Sequence, residues 1–286
     1  MSKISRKNHR WSYLAGEIFR VVFLTMHFVI TIFPFFWMVS TAVKKEQAEI
    51  YAFPVIYWPQ NPSLENFFHI AVKGNFLLYF RNSFLYAAIP ALVGTLLAIL
   101  AAYVLARCRF RGRNTVLFLF ILTQMLPGFM GLAPKYQMMS RLGLVNTVLG
   151  ILLIYLSNII PYSVVTLRSF FDQVPASIEE AALIDGCSRF RVVFTIAVPL
   201  VLPGIISVLI FDFVNLWNEL FSATLFLDSD HLKTVTIALN GLIQKYDIAW
   251  GQLMAGTIIS VLPTVLLFAL MRKYMIAGLT SGAVKG

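Results

Sequence analysis

The chain has 286 residues, of which 59% are hydrophobic and only 13% are charged, and its mean hydropathy is +0.78. Soluble globular domains average ~45–50% apolar and ~25% charged residues, which excludes a soluble enzyme, a disordered chain and a disulfide-built secreted scaffold. The formal net charge of +10 follows from the placement of Lys and Arg around apolar segments. The composition predicts an all-α polytopic membrane protein.

Six apolar windows are long enough for a helix to cross a bilayer, which takes about 20 mostly apolar residues. Five of them lack Asp, Glu, Lys and Arg, whereas the fifth in chain order contains Asp212 and Glu219. The windows are residues 21–43, 82–106, 114–134, 142–167, 198–220 and 248–271. They predict one transmembrane domain over residues 21–273, with cytoplasmic segments at residues 1–20 and 274–286.

The positions of Lys and Arg predict which side each connecting segment faces, because basic residues concentrate in cytoplasmic loops. With the N-terminus inside, the inner segments hold 15 of the 23 basic residues. The strongest local indication is the cluster of Arg107, Arg109, Arg111 and Arg113. Nucleic-acid binding is a weak reading of this cluster, since it lies against two spans and lacks interleaved aromatics beyond Phe110. We therefore expect both termini in the cytoplasm and no nucleic-acid partner.

The segment between the fourth and fifth windows predicts two short helices. Ser177 followed by Glu180 is typical of a capping box, an Ala-Ala pair at 181–182 favours helix, and Gly186 favours a stop. A second short helix is predicted from about Ser188. With its small face, the first helix is suited to dock into a groove of another protein. Alternatively, Glu180 only caps its own helix and the alanines pack on the chain's own spans.

These residues resemble a known signature. The order Glu180-Ala181-Ala182, Gly186, Ile196 and Val198-Pro199 is similar to the EAA signature of the membrane subunits of bacterial ABC importers, with Val198 where that signature usually has Leu. Three further blocks resemble the same family, and the last resembles the carbohydrate-uptake branch, specifically the smaller six-span subunit of maltose-type importers. They are residues 142–147, Trp217-Asn218-Glu219 and the closing residues 282–286.

The resemblance implies a permease in the bacterial inner membrane that forms half of a sugar or oligosaccharide path. It implies four partners besides lipid: a homologous second permease subunit, two copies of an ATPase that bind ATP and Mg²⁺, and an extracytoplasmic solute-binding protein. The region 175–196 would couple to the ATPase through Glu179, Glu180, Ala181, Ala182, Asp185, Gly186 and Phe190. The C-terminal residues 281–286 would also reach the ATPase, through Gly282 and Lys285. The outer segment 221–246 would reach the binding protein.

The chain itself is predicted to be non-catalytic and to bind no cofactor or metal. It lacks the Gly-x-x-x-x-Gly-Lys-Ser/Thr loop that cradles nucleotide phosphates, and its four histidines are scattered. The energy for transport would therefore arrive by contact with the separate ATPase.

Polar residues of the fifth window are candidates for the translocation path. Asp212, Asn215 and Glu219 recur at i, i+3 and i+7 on one helix face, and Trp217 and Asn218 lie beside it. A charge at membrane depth usually faces the bundle interior or a water-filled cavity. Alternatively, Asp212 pairs with a neighbouring helix and Glu219 lies at the outer interface. Weaker candidates are Gln124 and Asn158, which could instead bond across helices.

Three other functions remain open at this point. A secondary transporter would use Asp212 as an ion site, but inverted repeats are not visible in the sequence. An intramembrane enzyme would need a nucleophile–base pair, and His27 is the only histidine at membrane depth. An importer for an amino acid, a peptide or a polyamine is the third, against which the maltose-like ending argues.

Overall fold

A computed structural model describes the backbone of residues 3–243 and 248–283, and the side chains of residues 16–72, 74–243 and 248–271. Within these ranges the regular elements are helices joined by irregular segments, apart from one isolated antiparallel bridge between Ile243 and Ile248. The predicted all-α class is confirmed. The chain divides into two compact units, one drawn from Met1–Gly74 and Leu242–Ile259, the other from Asn75–Gly241 and Ser260–Gly286.

The first unit is built on a long N-terminal helix. Its helices are α1 (Lys3–Ala42), α2 (Gln47–Ile50), α3 (Glu65–Phe68) continued by a π-helical turn (His69–Lys73), and the start of α14 (Trp250–Ala283). The most apolar stretch of Gly16–Ala42 contains no buried side chain. At the end of α1 the chain folds back, because Asn66 donates from Nδ2 to the carbonyls of Ala42 and Lys44 at 2.9 and 2.8 Å.

The second unit contains the remaining helices. They are α4 (Phe76–Arg107), α5 (Arg113–Met125), α6 (Leu132–Arg141), α7 (Val148–Gln173), α8 (Ala176–Ile184), α9 (Arg189–Val192), α10 (Val198–Leu200), α11 (Leu202–Trp217), α12 (Phe221–Phe226), α13 (Val235–Gly241) and the rest of α14. Short 3-10 turns lie at Gly128–Gly131 and Asp230–Leu232, and a π-helical turn lies at Val193–Ala197.

Helix α4 packs against α7 and α11 because one of its faces is lined by small residues. Ala87, Ala91, Ala98 and Ala102 are all buried on it. Between them, a Cβ added at Gly94 would lie 2.7 Å from Cδ1 of Ile159 on α7. Small residues let helix backbones approach closely inside a membrane, where burial of apolar surface alone drives little association.

Among the described residues, four helices are long and apolar enough to cross a membrane without a break. They lie at Gly16–Ala42, Phe76–Arg107, Val148–Gln173 and Trp250–Met271, and two bent helix pairs bring the number to as many as six. Sequence and structure therefore agree on a multi-helix membrane protein.

Two of the six predicted windows are not single helices. In the third window, 114–134, the helix ends at Met125 and the following helical segment turns by 104°. Pro127 explains the break, since a proline pushes the preceding residue out of the helical region, and Leu126 has φ −81° and ψ 130°. In the fifth window the chain bends by 77° at Val201, between Pro199 and Pro203.

The fourth window begins later than predicted. Gly143 and Asn146 both adopt positive φ, 67° and 58°, so residues 142–147 form a turn instead of the first helical turns. Helix α7 then starts at Val148, and its N-cap residue Thr147 accepts a hydrogen bond from the Gly150 amide at 3.1 Å.

Candidate functional site

The helix stop predicted at Gly186 is confirmed. Gly186 has φ +83°, and its amide donates to the Leu183 carbonyl at 3.1 Å while the Cys187 amide donates to Ala182 at 3.0 Å. This double bond pattern is a Schellman motif, which needs a left-handed residue that glycine adopts without steric cost. The second predicted helix follows as α9, with the Ser188 hydroxyl accepting from the Arg191 amide at 3.3 Å.

The predicted capping box is wrong. Helix α8 begins at Ala176 with Pro175 at the N-cap position, and no side chain caps it. The proline supplies a suitable backbone conformation, φ −58° and ψ 128°, so the helix starts two residues before the position that a Ser177 cap would require. Ser177 and Glu180 therefore lie inside the helix.

Helix α8 has two different faces. Glu179 and Ala182, three residues apart, are buried, with Glu179 only 4% exposed. The rest of the helix is turned outward, and Ile184 is 86% exposed. The predicted coupling residues are thus divided: Glu179 and Ala182 face the chain's own bundle, while Glu180, Ala181, Asp185, Gly186 and Phe190 are exposed.

A buried cluster of polar side chains attaches α8 to the end of α4. Arg107 donates from Nε to Oε1 of Glu179 at 2.8 Å, and Tyr103 donates its hydroxyl to Oε2 at 2.8 Å. Arg107 also donates from Nη2 to the Val174 carbonyl at 2.8 Å. In the sequence, Arg107 indicates topology but not this contact. The signal for the contact is an arginine at the end of an apolar helix, with a carboxylate available in the next predicted inner segment.

Asp212 is bound to a neighbouring helix. Its carboxylate is 1% exposed, and Oδ2 lies 2.6 Å from the Ser163 hydroxyl of α7. The same hydroxyl lies 2.9 Å from the Ile159 carbonyl one turn earlier. The predicted alternative, a contact between Asp212 and a neighbouring helix, is therefore present, and a role of Asp212 in the path stays a prediction.

The other candidate path residues of α11 have different surroundings. Asn215 and Asn218 are exposed, and Asn218 donates from Nδ2 to the Val214 carbonyl of its own helix at 2.8 Å. Trp217 is 4% exposed and belongs to the core, where its indole N–H donates to the Ser260 carbonyl at 3.0 Å and its ring stacks on Phe213.

Glu219 anchors the start of α12. Its Oε1 accepts from the Ser222 amide at 2.7 Å, and its Oε2 accepts from the Ala223 amide at 3.0 Å and from the Tyr155 hydroxyl at 3.3 Å. Carboxylates are stabilised at helix N-termini, where amides lack intrahelical partners. The structure thus gives Glu219 an anchoring contact that the spacing of Asp212, Asn215 and Glu219 did not indicate.

The segment before α13 is attached to the start of α4. Asn82 donates from Nδ2 to the carbonyls of His231 and Lys233 at 2.9 and 3.0 Å, and the Ser83 hydroxyl accepts from the Val235 amide at 2.8 Å. The Tyr79 hydroxyl lies 3.0 Å from both carboxylate oxygens of Asp230. Hydrogen bonds from Tyr79 and then Lys233 hold the pKa of the Asp230 carboxyl below its usual range.

Asn146 attaches the same segment from the turn before α7. Its side-chain Oδ1 accepts from the backbone amides of Asp228 and Ser229 at 3.0 and 2.9 Å, and its backbone amide donates to the Phe226 carbonyl at 2.8 Å. The stretch from residue 226 to residue 235, here called the outer loop after the side that the sequence predicts for it, is thereby fixed from two directions. The sequence predicts a partner contact within 221–246 but does not indicate which residues make it.

The remaining predicted site residues are the weaker path candidates, Gln124 and Asn158, and the C-terminal residues. Lys135 donates from Nζ to Oδ1 of Asn158 at 2.6 Å, and Gln124 is exposed on α5. Helix α14 continues to Ala283, well past the predicted span end at residue 271, and includes Gly282 in its backbone. Lys285 lies outside the described residues.

Comparison with known proteins identifies the family. Residues 94–280 match the family described as "Binding-protein-dependent transport system inner membrane component". The chain is 36% identical over 265 residues to the inner membrane ABC transporter permease protein YcjP of Escherichia coli, covering 92% of this chain and 94% of that one. It is 31% identical over 262 residues to the trehalose/maltose transport system permease protein MalG of Thermococcus litoralis, covering 90% and 93%.

A solved structure has the same fold. A chain of a bacterial ABC transporter involved in the import of the acidic polysaccharide alginate superposes with a TM-score of 0.80 at 19% identity, covering 92% of this chain and 98% of that one. The protein belongs to the family of binding-protein-dependent transport system inner membrane components. The predicted family is confirmed, and the chain is a multi-pass inner membrane permease subunit of an ABC importer.

Proposed function

We propose that the chain is the smaller, six-span permease subunit of a carbohydrate importer, and that it pairs with a homologous second permease around a shared path. Each bent helix pair then counts as one span. The observation that carries this proposal is the division of α8 into a face attached to its own bundle and a face turned outward. One face of such a helix is bound to the permease, and the other face is free to contact another protein.

The exposed face of α8 and the following residues are suited to a cleft of the separate ATPase. The apolar side chains Ile184 and Phe190 are 86% and 73% exposed, and Glu180 adds a charge nearby. Exposed apolar side chains rimmed by polar ones mark protein contact sites. ATP and Mg²⁺ would be bound by that ATPase, and its closure would move α8 and rock the spans between two states.

The outer loop is assigned to the opposite partner, the extracytoplasmic solute-binding protein. The family description names binding-protein-dependent transport, and the loop is fixed in shape while Asp228 and His231 remain exposed at its surface. A surface with a fixed backbone loses little conformational freedom when it binds a partner.

A sugar or oligosaccharide is the proposed solute. The support comes from the names of relatives, among them the trehalose/maltose permease, and from exposed amides on α11 that could hydrogen-bond a sugar. Asn215 and Asn218 are the proposed path residues on the exposed side, with Asp212 behind them, while Trp217 and Glu219 would support this wall. Another small polar solute is the alternative.

The coupling role is tested by the double variant Glu180→Lys, Gly186→Pro in the assembled importer. Proline fixes φ near −65° and removes the amide that donates to Leu183, so the Schellman stop is lost. We expect the subunit to insert while uptake of labelled sugar and co-purification of the ATPase are both lost. The matched control is Asp172→Asn, an exposed acidic residue of the same inner region. Full uptake by the double variant would refute the docking role of α8.

The orientation is tested by thiol labelling. Cys108 and Cys187 are both free and partly exposed, and both lie in segments proposed to be cytoplasmic. In intact cells a membrane-permeant maleimide should label them, whereas an impermeant one should not. Labelling of Cys108 by the impermeant reagent would overturn the proposed topology.

A further inference from the structure

Helix α4 is attached at its two ends to the two segments assigned to different partners. Its last turn is bound to α8, and its first turns are bound to the outer loop. We propose that α4 is the strut that transmits movement between the ATPase side and the binding-protein side of this subunit, with Glu179 and Asn82 as positioning residues at its two ends. The inference rests on the proposed docking of α8.

The inner attachment fixes both position and orientation of α8. The two carboxylate oxygens of Glu179 are bound by Tyr103 and Arg107, which are four residues apart and therefore neighbours on one face of α4. Two bonds to separate points prevent α8 from pivoting about a single contact. The Arg107 bond to the Val174 carbonyl adds the residue just before α8 to the same attachment.

The inner attachment is also largely buried. The side chains of Arg107 and Glu179 are 16% and 6% exposed, and the Tyr103 ring meets Phe171 of α7 edge to face at 5.7 Å between centroids. A buried ion pair adds little net stability compared with apolar packing. Separating its two side chains is nevertheless costly, because each is left as a buried charge without a partner. Glu179 and Arg107 therefore move together.

The outer attachment binds main-chain atoms. Asn82 bonds two carbonyls and Ser83 bonds one amide of the loop, and both side chains are buried. Because these contacts involve the loop backbone directly, a displacement of the start of α4 displaces the loop itself.

Both attachments lie on one continuous helix, since α4 runs over 32 residues with Pro90 inside it. At 1.5 Å per residue the whole helix is about 48 Å long, enough to cross the hydrocarbon core of a membrane. Coupling between distant sites needs a contiguous element with two arrangements that both sites bias. The two attachments give α4 that connection at each end.

Hydrogen–deuterium exchange in the assembled importer tests the strut directly. In the unmodified complex, a non-hydrolysable ATP analogue should change exchange both in α8 and in the outer loop. In Glu179→Gln the change in α8 should remain, whereas the change in the outer loop should fall about tenfold, the scale on which residues along a coupling path act. Tyr103→Phe, which keeps the ring packed on Phe171, should give a smaller loss in the same direction. Asp172→Asn is the control that should respond like the unmodified protein.

The outcomes separate the strut from the docking proposal. A full response of the outer loop in Glu179→Gln, with α8 still responding, would overturn the strut. If Glu179→Gln does not fold, Tyr103→Phe decides in the same way, and a loop response equal to that of the unmodified protein overturns it. Absence of any response of α8 in the unmodified complex would instead overturn the docking of α8 and the inference with it.

Discussion

The two segments proposed to contact partners are attached to the second unit by different means. At the α8 end the attachment joins charged side chains, with Arg107 and Glu179 meeting at 2.8 Å in a largely buried position. At the outer-loop end neutral side chains bind main-chain atoms, as Asn82 and Asn146 do. The α8 end therefore depends on the identity of two side chains, whereas the outer-loop end also fixes a backbone path and leaves the side chains of Asp228 and His231 exposed.

The largest effect is expected from removing one partner of the buried pair. Arg107→Ala leaves the Glu179 carboxylate buried without its cation, which lowers the free energy of unfolding by about 3–5 kcal/mol. Thermal unfolding of the purified subunit in detergent measures this. Arg168→Ala, which breaks a partly exposed pair with Asp172, is the matched control and should cost about 1 kcal/mol or less. Equal losses in the two variants would show that burial gives the Arg107–Glu179 pair no greater weight than an exposed pair.

The outer-loop end should respond locally. Asn82→Ala removes two hydrogen bonds to loop carbonyls and costs about 2 kcal/mol, on the usual scale for such bonds. Hydrogen exchange of residues 228–234 should speed up while exchange in α8 stays unchanged. Asn218→Ala, whose amide bonds only its own helix, should not alter exchange of the loop. Faster exchange in both regions would show that Asn82 supports the whole bundle.

The middle of the bundle should be less sensitive still. Asp212→Asn keeps a polar group within reach of Ser163 and should unfold like the parent protein, whereas Asp212→Ala should cost about 1 kcal/mol. Both variants should retain the ATPase, because Asp212 contacts Ser163, ten residues before α7 ends at Gln173. If uptake is normal in Asp212→Ala, the residue has no role in the path.

The smallest effect is expected from acid at the outer loop. The pKa of Asp230 is lowered by its bonds to Tyr79 and Lys233, so the stabilising contact is fully present above the ordinary Asp range and is lost as pH falls through the lowered value. Exchange protection of the loop should therefore be flat from about pH 8 to pH 5 and decline only below the ordinary aspartate pKa of about 4. Asp230→Asn should abolish that decline. A change near neutral pH would assign the titration to another group.

Local signals were sufficient for much of the fold. The apolar windows predicted a multi-helix membrane protein, and Gly186 and Ser188 predicted the stop of α8 and the start of α9. Each of these features depends on residues within a few positions of one another. The capping box was also predicted from neighbouring residues, but this prediction was wrong because Pro175 occupies the N-cap position and sets where the helix starts.

Contacts between segments that are far apart in the chain could not be predicted from the sequence. Glu179 and Glu180 are adjacent and chemically alike, and only the position of Arg107, 72 residues earlier, decides which of them is buried. The attachment of the outer loop by Asn146 likewise joins residues 83 positions apart. Prolines lie next to the bends at Leu126 and Val201. Membrane helices often contain proline without ending there, so the residues alone did not predict these bends.

The hydrogen bonds that Asn146 accepts from the loop amides have a consequence for engineering the protein. Because it contacts the main chain of Asp228 and Ser229, the exposed side chains of Asp228 and His231 can be exchanged without rebuilding the support beneath them. Under the proposed contact with the solute-binding protein, retargeting the subunit would require only a few surface substitutions on an unchanged backbone. At the opposite end, substitutions would be restricted to the exposed face of α8, because Glu179 on its buried face must keep its pairing with Arg107.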